Sequence, residues 1–292
     1  LARDAALEKA RALDRGPRKG LLHGVPMGVK DIIDSGDQPT GYGSPIYARH
    51  QPLADAATVA LPRAAGAILL GKTVTTEFAN RTPGKTRNPH NPAHTPGGSS
   101  SGSAAAVGAG VLPLAFATQT AGSVIRPAAF CGCVGFKATR AVLSMRGIQP
   151  LAADLDTLGA YARTPDDLLL FQAVLANVKD TRPGVSRKPR IAVTRTAARV
   201  SLEPAAQEAL DEAAARLAPH ATVEQVELPG PCENAFAAQE ILMAVGGARA
   251  YEVEWRDHRD LMSVNFRERL AIGRACSPAL IEEAEATRVA CI

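Results

Sequence analysis

The sequence predicts an α/β fold with a mixed, largely parallel central sheet covered on both faces by helices. Three observations lead there. Short apolar, strand-like runs alternate with Ala/Leu/Glu-rich helical stretches along the chain. The strand-like runs are apolar enough to be buried, as parallel strands under two layers of helix are. The chain has 292 residues, 46% of them hydrophobic, which is enough to bury such a sheet. Only 4% of residues are aromatic, so Ala, Val and Leu must fill most of the core and elements must approach closely.

The elements follow in order. Asp4 to Leu13 is rich in good helix formers and reads as a helix. After a Gly16-Pro17 linker, residues 24–31 (GVPMGVKD) read as a buried strand carrying Lys30 near its C-terminal end. Asp55 to Ala65 reads as a helix with Asp55 as N-cap, which Pro62 should kink or stop early. Ala67 to Leu70 reads as a strand, Thr73 to Ala79 as a short helix, and Arg81 to Ser103 as a Pro/Asn/Gly/Ser-rich loop. A small-residue helix is expected over about Ser103 to Ala109, then strands at Leu112 to Thr118 and Val134 to Lys137. Thr164-Pro165-Asp166-Asp167 is a helix start, with the helix running to about Val178. Arg190 to Thr194 and Thr222 to Leu228 read as strands around a helix at Glu203 to Leu217; from Cys232 onward the chain is mostly helical. No internal repeat is visible, and a single domain over 1–292 is expected, with a motif-dense region at 22–167 and a more variable helical region at 195–292.

Composition narrows the function classes. The formal net charge is +4, but the charges are interspersed, with no basic cluster that would mark a nucleic-acid surface. No apolar run reaches membrane-spanning length, so no membrane partner is expected. No secretory signal is visible, although the sequence starts at Leu1. The five cysteines (Cys131, Cys133, Cys232, Cys276 and Cys291) lack zinc-site spacing, and most of them read as small buried hydrophobes, consistent with a cytoplasmic protein.

Two loops carry chemistry. Gly97-Gly98-Ser99-Ser100-Ser101-Gly102-Ser103 has the composition of a flexible linker, yet it is short and leads straight into an Ala-rich helical segment. Thr120-Ala121-Gly122-Ser123 follows a buried strand, and its small residues let successive N–H groups converge on an anion beside an exposed serine. A serine nucleophile needs a base, and none of the six histidines lies in a recognisable base motif. A desolvated lysine is the alternative, and Lys30 suits it best. On local sequence alone, an ion pair of Lys30 with Asp31 or Asp34 is the simpler reading.

Taken jointly, these segments are specific. Residues 97–128 (GGSSSGSAAAVGAGVLPLAFATQTAGSVIRPA) closely resemble the signature of the amidase signature family. Residues 24–45 resemble its lysine-bearing segment, and residues 65–79, 86–100 and 131–140 resemble further family motifs. The resemblance implies an amidase with Ser123 as nucleophile, Ser99 as a bridging serine after a cis peptide bond, and Lys30 as base. It implies oxyanion donors at Thr120, Ala121, Gly122 and Ser123, an acyl-enzyme intermediate, a small-molecule amide substrate, and neither metal nor organic cofactor. Oligomeric state is not legible; a homodimer is compatible.

The departures are informative. Gln119 stands where many relatives carry Asp, Ala138 where Pro is common and Ala141 where Gly is common. The arginine after the nucleophile falls at Arg126, a spacing that resembles malonamidase-type members, in which it holds a substrate carboxylate; a structural arginine capping carbonyls is the equal alternative. Relative to the family the sequence looks clipped at both ends. Two other readings stand beside a free-standing amidase: a glutamine-hydrolysing amidotransferase subunit, which the Ser-Val-Ile-Arg pattern fits less well, and an inactive truncated remnant.

Overall fold

A computed structural model describes residues 3–178, 187–194 and 202–292. Leu1 and residues 195–201, at the head of the variable helical region, lie outside the described residues. The chain divides into two compact units, one taking in Leu1–Thr181 with Met243–Ala275, the other Arg182–Leu242 with Cys276–Ile292.

In the first unit, α1 (Arg3–Arg15), β1 (Pro26–Lys30), α2 (Ala57–Ala64), β2 (Ile68–Thr73), α3 (Ser101–Gly108), β3 (Leu114–Gln119), α4 (Ile125–Cys131), β4 (Val134–Lys137), β5 (Thr157–Ala162) and α5 (Pro165–Ala176) follow one another. The sheet order is β2-β1-β3-β5-β4. β1 runs parallel to β2 and β3, while β5 runs antiparallel to β3 and to β4. Only β5 therefore opposes the other four, and the sheet is mixed and largely parallel, as the sequence predicts.

Both faces are covered, and differently. Strand alternation sends Leu114 and Phe116 of β3 to one face and Ala115 and Ala117 to the other. The first face takes the large side chains: Phe116 packs on Phe171 of α5 at 4.5 Å between ring centres. Val59 of α2 and Met243, Tyr251, Phe266 and Leu270 join the same cluster. The second face is mostly small, with Ala104, Ala105 and Val107 of α3 and Ala128 and Cys131 of α4 packed on the strand alanines, and Leu112 and Tyr161 as its larger side chains. Few aromatics thus suffice because all the buried ones but Tyr161 are concentrated on one side, and the other side is closed largely by backbone approach. A Cβ added at Gly102 would sit 2.2 Å from the Val74 nitrogen, and one at Gly108 would sit 2.2 Å from the Cys131 oxygen.

Several expectations are corrected. Ala56, not Asp55, caps α2; the Asp55 carboxylate instead accepts from the Gly36 N–H at 2.8 Å and pairs with Arg63. Pro62 is tolerated inside α2, which ends two residues later. Thr73 closes β2 instead of opening a helix, because its β-branched neighbourhood favours extended backbone and Lys30 offers it a parallel partner. Only Glu77–Ala79 forms a single 3₁₀ turn there. Two elements went unpredicted, α4 and β5. β5 is buried along its whole length, so it shows no alternation to read.

The second unit carries a parallel pair, β6 (Arg190–Val193) and β7 (Thr222–Gln225), with α6 (Pro204–Leu217) between them in sequence. The helices toward the end of the chain are α7 (Ala235–Ala250), α8 (Glu252–Asp257), α9 (Val264–Ala275) and α10 (Pro278–Ala290), as the helical reading of this stretch expects. Among the described residues no helix is long and apolar enough to cross a membrane.

Gly108→Ala should overpack the α3–α4 contact and lower unfolding stability by about 1–3 kcal/mol. Denaturant titration of the variant against wild type reads this directly; an unchanged midpoint would mean the two helices separate freely.

Candidate active site

In open α/β sheets ligands collect outside the C-terminal ends of parallel strands. Here Lys30 ends β1 and Thr118-Gln119 end the adjacent, parallel β3. The chain folded into that edge is the Gly/Ser run. It is no flexible linker: Ser99, Ser100, Ser101 and Ser103 are all buried. Ser100 Oγ donates to the Thr118 carbonyl (3.1 Å), Ser101 Oγ to the Val74 carbonyl (3.2 Å) and Ser103 Oγ to the Phe116 carbonyl (2.7 Å). These three serines stitch the run and α3 to the neighbouring strands and the segment following β2.

Ser99 is used differently. Its peptide bond with Gly98 is cis, and its hydroxyl accepts a hydrogen bond from Lys30 Nζ at 2.8 Å. Lys30 also donates to Thr118 Oγ1 at 2.8 Å and contacts the Thr118 carbonyl at 3.4 Å. Lys30 is 0% exposed and Ser99 1% exposed. Burial lowers the Lys30 ammonium from its ordinary 10.5 to about 7, and the charge of Asp156 opposes the fall. The anticipated ion pair does not form. Asp31 lies 3.5 Å from Lys72, and Asp34 accepts from the Tyr42 hydroxyl at 2.8 Å.

Ser123 sits in the β3–α4 turn, 7% exposed. Its carbonyl accepts from the Tyr161 hydroxyl at 3.1 Å. Among the described residues no hydrogen bond joins the Ser123 hydroxyl to Ser99. The N–H groups of Ala121, Gly122 and Ser123 likewise find no protein acceptor among the described residues. Unpaired backbone donors clustered beside a serine leave room for an incoming oxyanion. Thr120 turns its hydroxyl to Asp156. The turn is held from below by Gln119, whose Oε1 accepts from the N–H groups of Val124 (2.8 Å) and Ile125 (3.1 Å).

Arg126 is exposed, and its Nη2 donates to the Gly98 carbonyl at 2.8 Å. The carbonyl-capping alternative is therefore realised. The same guanidinium also lines a cavity of about 260 Å³ with Arg81, Gly97, Gly98 and Ser101. No carboxylate is among the described residues lining it.

Histidines and cysteines do other things. His90 bonds the Cys131 carbonyl at 2.9 Å, and His23 accepts from the Lys19 N–H. Burial pushes the Cys131 and Cys133 thiols up to about 11 and about 12, away from thiolate chemistry. Among the described residues no group of three His, Cys, Asp or Glu is placed to hold a metal ion.

Sequence reasoning missed Thr118, Asp156 and Tyr161, and the role of Gln119. A polar pair closing an otherwise apolar strand, Thr118-Gln119, was the available signal for two of them. Asp156 and Tyr161 needed β5, which was not predicted.

A lysine and a serine in contact at the strand ends of an α/β sheet, beside a turn of free N–H groups, define a lysine–serine centre. The amidase family profile matches residues 1–272, and the chain belongs to that family. It is 43% identical over 184 residues to a glutamyl-tRNA(Gln) amidotransferase subunit of Nitratidesulfovibrio vulgaris, a match covering 60% of this chain and 38% of that one. The chain thus matches well under two thirds of such curated relatives' length. Among solved structures, an amidase superposes with a TM-score of 0.91 at 32% identity, covering 100% of this chain and 69% of that one. The peptide amidase of Stenotrophomonas maltophilia superposes with a TM-score of 0.79 at 29% identity, covering 96% and 68%.

Gln119→Leu should strand the buried Val124 N–H and the part-buried Ile125 N–H and lower stability by about 1–3 kcal/mol. It should also slow any chemistry that depends on the Ser123 turn. Chemical denaturation and labelling by a serine-directed phosphonate measure the two effects on the same sample.

Proposed function

We propose that this chain hydrolyses carbon–nitrogen amide bonds through Ser123, Ser99 and Lys30. The observation that carries the reading is the buried Lys30 amine bonded to the Ser99 hydroxyl, where burial lowers its ammonium to about 7. A neutral amine there accepts the Ser99 proton while Ser99 takes one from Ser123. The relay requires the Ser123 hydroxyl to turn toward Ser99. Its oxygen then attacks the amide carbon, and the N–H groups of Ala121, Gly122 and Ser123, with that of Thr120, stabilise the oxyanion. Collapse of the tetrahedral species expels the nitrogen, which leaves only when protonated; the proton returns along Lys30 and Ser99. The acyl group stays on Ser123 until water, deprotonated by the same relay, attacks it and releases the acid.

The favoured substrate is a small amide bearing a carboxylate. Arg126 lines the cavity beside Gly97-Gly98, and no carboxylate is among the described residues lining that cavity. A guanidinium is suited to carboxylate recognition. Glutamine is itself such an amide. The 43% identity to an amidotransferase subunit supports a second reading, in which glutamine hydrolysis supplies ammonia to a partner complex. Glutamine turnover by the isolated chain, compared with a panel of other carboxylated amides, separates the two.

A fluorophosphonate should label wild type and not Ser123→Ala. The rate should rise with pH through about 7, since only deprotonated Lys30 accepts a proton and that form grows above its pKa. A flat profile from pH 5 to 9 would remove Lys30 as the base. Arg126→Ala should raise KM for carboxylated amides about tenfold or more while changing neutral amides little. Equal effects on both classes would assign Arg126 to holding Gly98 alone.

A further inference from the structure

Asp156 stands one residue before β5. The antiparallel register pairs Gln119 with Thr157 and Thr118 with Leu158. Continued by one residue, it sets Asp156 opposite Thr120. Its side chain is buried and makes more contacts than a strand-end carboxylate requires. One oxygen accepts from the Thr120 hydroxyl; the other accepts from the Leu151 and Ala152 N–H groups at 2.8 and 3.0 Å. All three partners are donors, which suits an ionised carboxylate and gives a protonated one nothing to donate to.

We propose that Asp156 is a positioning residue for the Lys30 base. It ties down the turn ahead of Ser123 through Thr120, and its negative charge stabilises the ammonium that Lys30 becomes on taking a proton. The inference rests on the amidase reading above and deepens it. Among the described residues Asp156 makes no hydrogen bond to Ser99 or Ser123; it acts through Lys30 and Thr120.

The electrostatics agree with the geometry. Burial raises the Asp156 carboxyl above its ordinary value, against the opposing pull of its three hydrogen bonds and of Lys30. Asp156 in turn raises Lys30 against the effect of burial. The other groups around Lys30, Ser99 on the Gly/Ser run and Thr118 on β3, are uncharged hydroxyls. Tyr251 is the further titratable side chain that feels Asp156, and burial keeps its phenol protonated. The charge balance of the base thus depends on one carboxylate. It does for lysine what a carboxylate does for the histidine of a serine-histidine-aspartate centre, at longer range.

The test uses the full chain and the pH dependence of fluorophosphonate labelling at Ser123, which needs no knowledge of the substrate. Asp156→Asn should slow labelling about tenfold and move the midpoint of the profile down by about one pH unit, because the ammonium has lost its counter-charge. Asp156→Glu, which keeps the charge, should move it less. A slowed reaction with an unmoved midpoint in Asp156→Asn would make the residue merely structural and overturn the proposal. Thr120→Val keeps the backbone N–H and removes the hydroxyl donor. It should also slow labelling, so the clamp is read even if Asp156→Asn does not fold; a wild-type rate in Thr120→Val overturns the proposal as well. Labelling that persists in Ser123→Ala would sink the amidase reading itself. An unmoved midpoint in a chain whose labelling still requires Ser123 and Lys30 sinks only the role of Asp156.

Discussion

An amine removed from water among hydroxyls is the constraint around which this structure is arranged. Lys30 reaches the end of β1 with no water-exposed surface and with Ser99 and Thr118 as hydrogen-bond partners. A charged ammonium at such a place is disfavoured, and the group answers by releasing its proton more readily. Everything nearby keeps that environment in place. The serine run is stitched to β3 and to the segment after β2, and α3 meets the end of β2 at Gly102 and α4 at Gly108, neither leaving room for a methyl group. A looser fit would admit water, and the amine would revert to an ordinary lysine.

The two faces of the sheet divide the work. Large apolar and aromatic side chains on one face bury most of the area that holds the unit together, through Phe116 on Phe171 and the Phe78–Tyr251–Phe266 group. The other face trades area for proximity. Alanines on α3, α4 and β3 bring backbone close to backbone, which is how serine hydroxyls on a helix and its leading loop reach carbonyls of the neighbouring strands. Most of the large apolar burial lies on one side of the sheet, and the Lys30–Ser99 contact on the other side is set by short distances.

Much of this was legible in the sequence, for identifiable reasons. β1, β4 and α5 carry strong local signals, an apolar run or a Thr-Pro start, and they appear where those signals place them. Lys30 and Ser99 were legible jointly, through motif order, and not singly; the local pairing suggested for Lys30 is taken up instead by Lys72 and Tyr42 acting on its neighbours. β5 was illegible because a strand of Thr, Leu, Gly, Ala and Tyr buried throughout has neither alternation nor length. With β5 went Asp156 and Tyr161, whose contacts with the Ser123 turn are made only when β5 lies beside β3. Arg126 shows the remaining limit. Its contact with Gly98 is geometric, and spacing alone left capping and carboxylate binding level.

The Gln119 contact has a consequence for how the molecule meets mild acid. The strut beneath the Ser123 turn is an uncharged carboxamide, so added protons find nothing there to neutralise. Lys30, which burial lowers to about 7, takes up its proton as the pH falls through that value. On the reading proposed above, moderate acidification would occupy that one nitrogen while the Gln119 strut under Ser123 stays unchanged; the Asp156 carboxylate on the Thr120 side is the part of the turn that acid can reach.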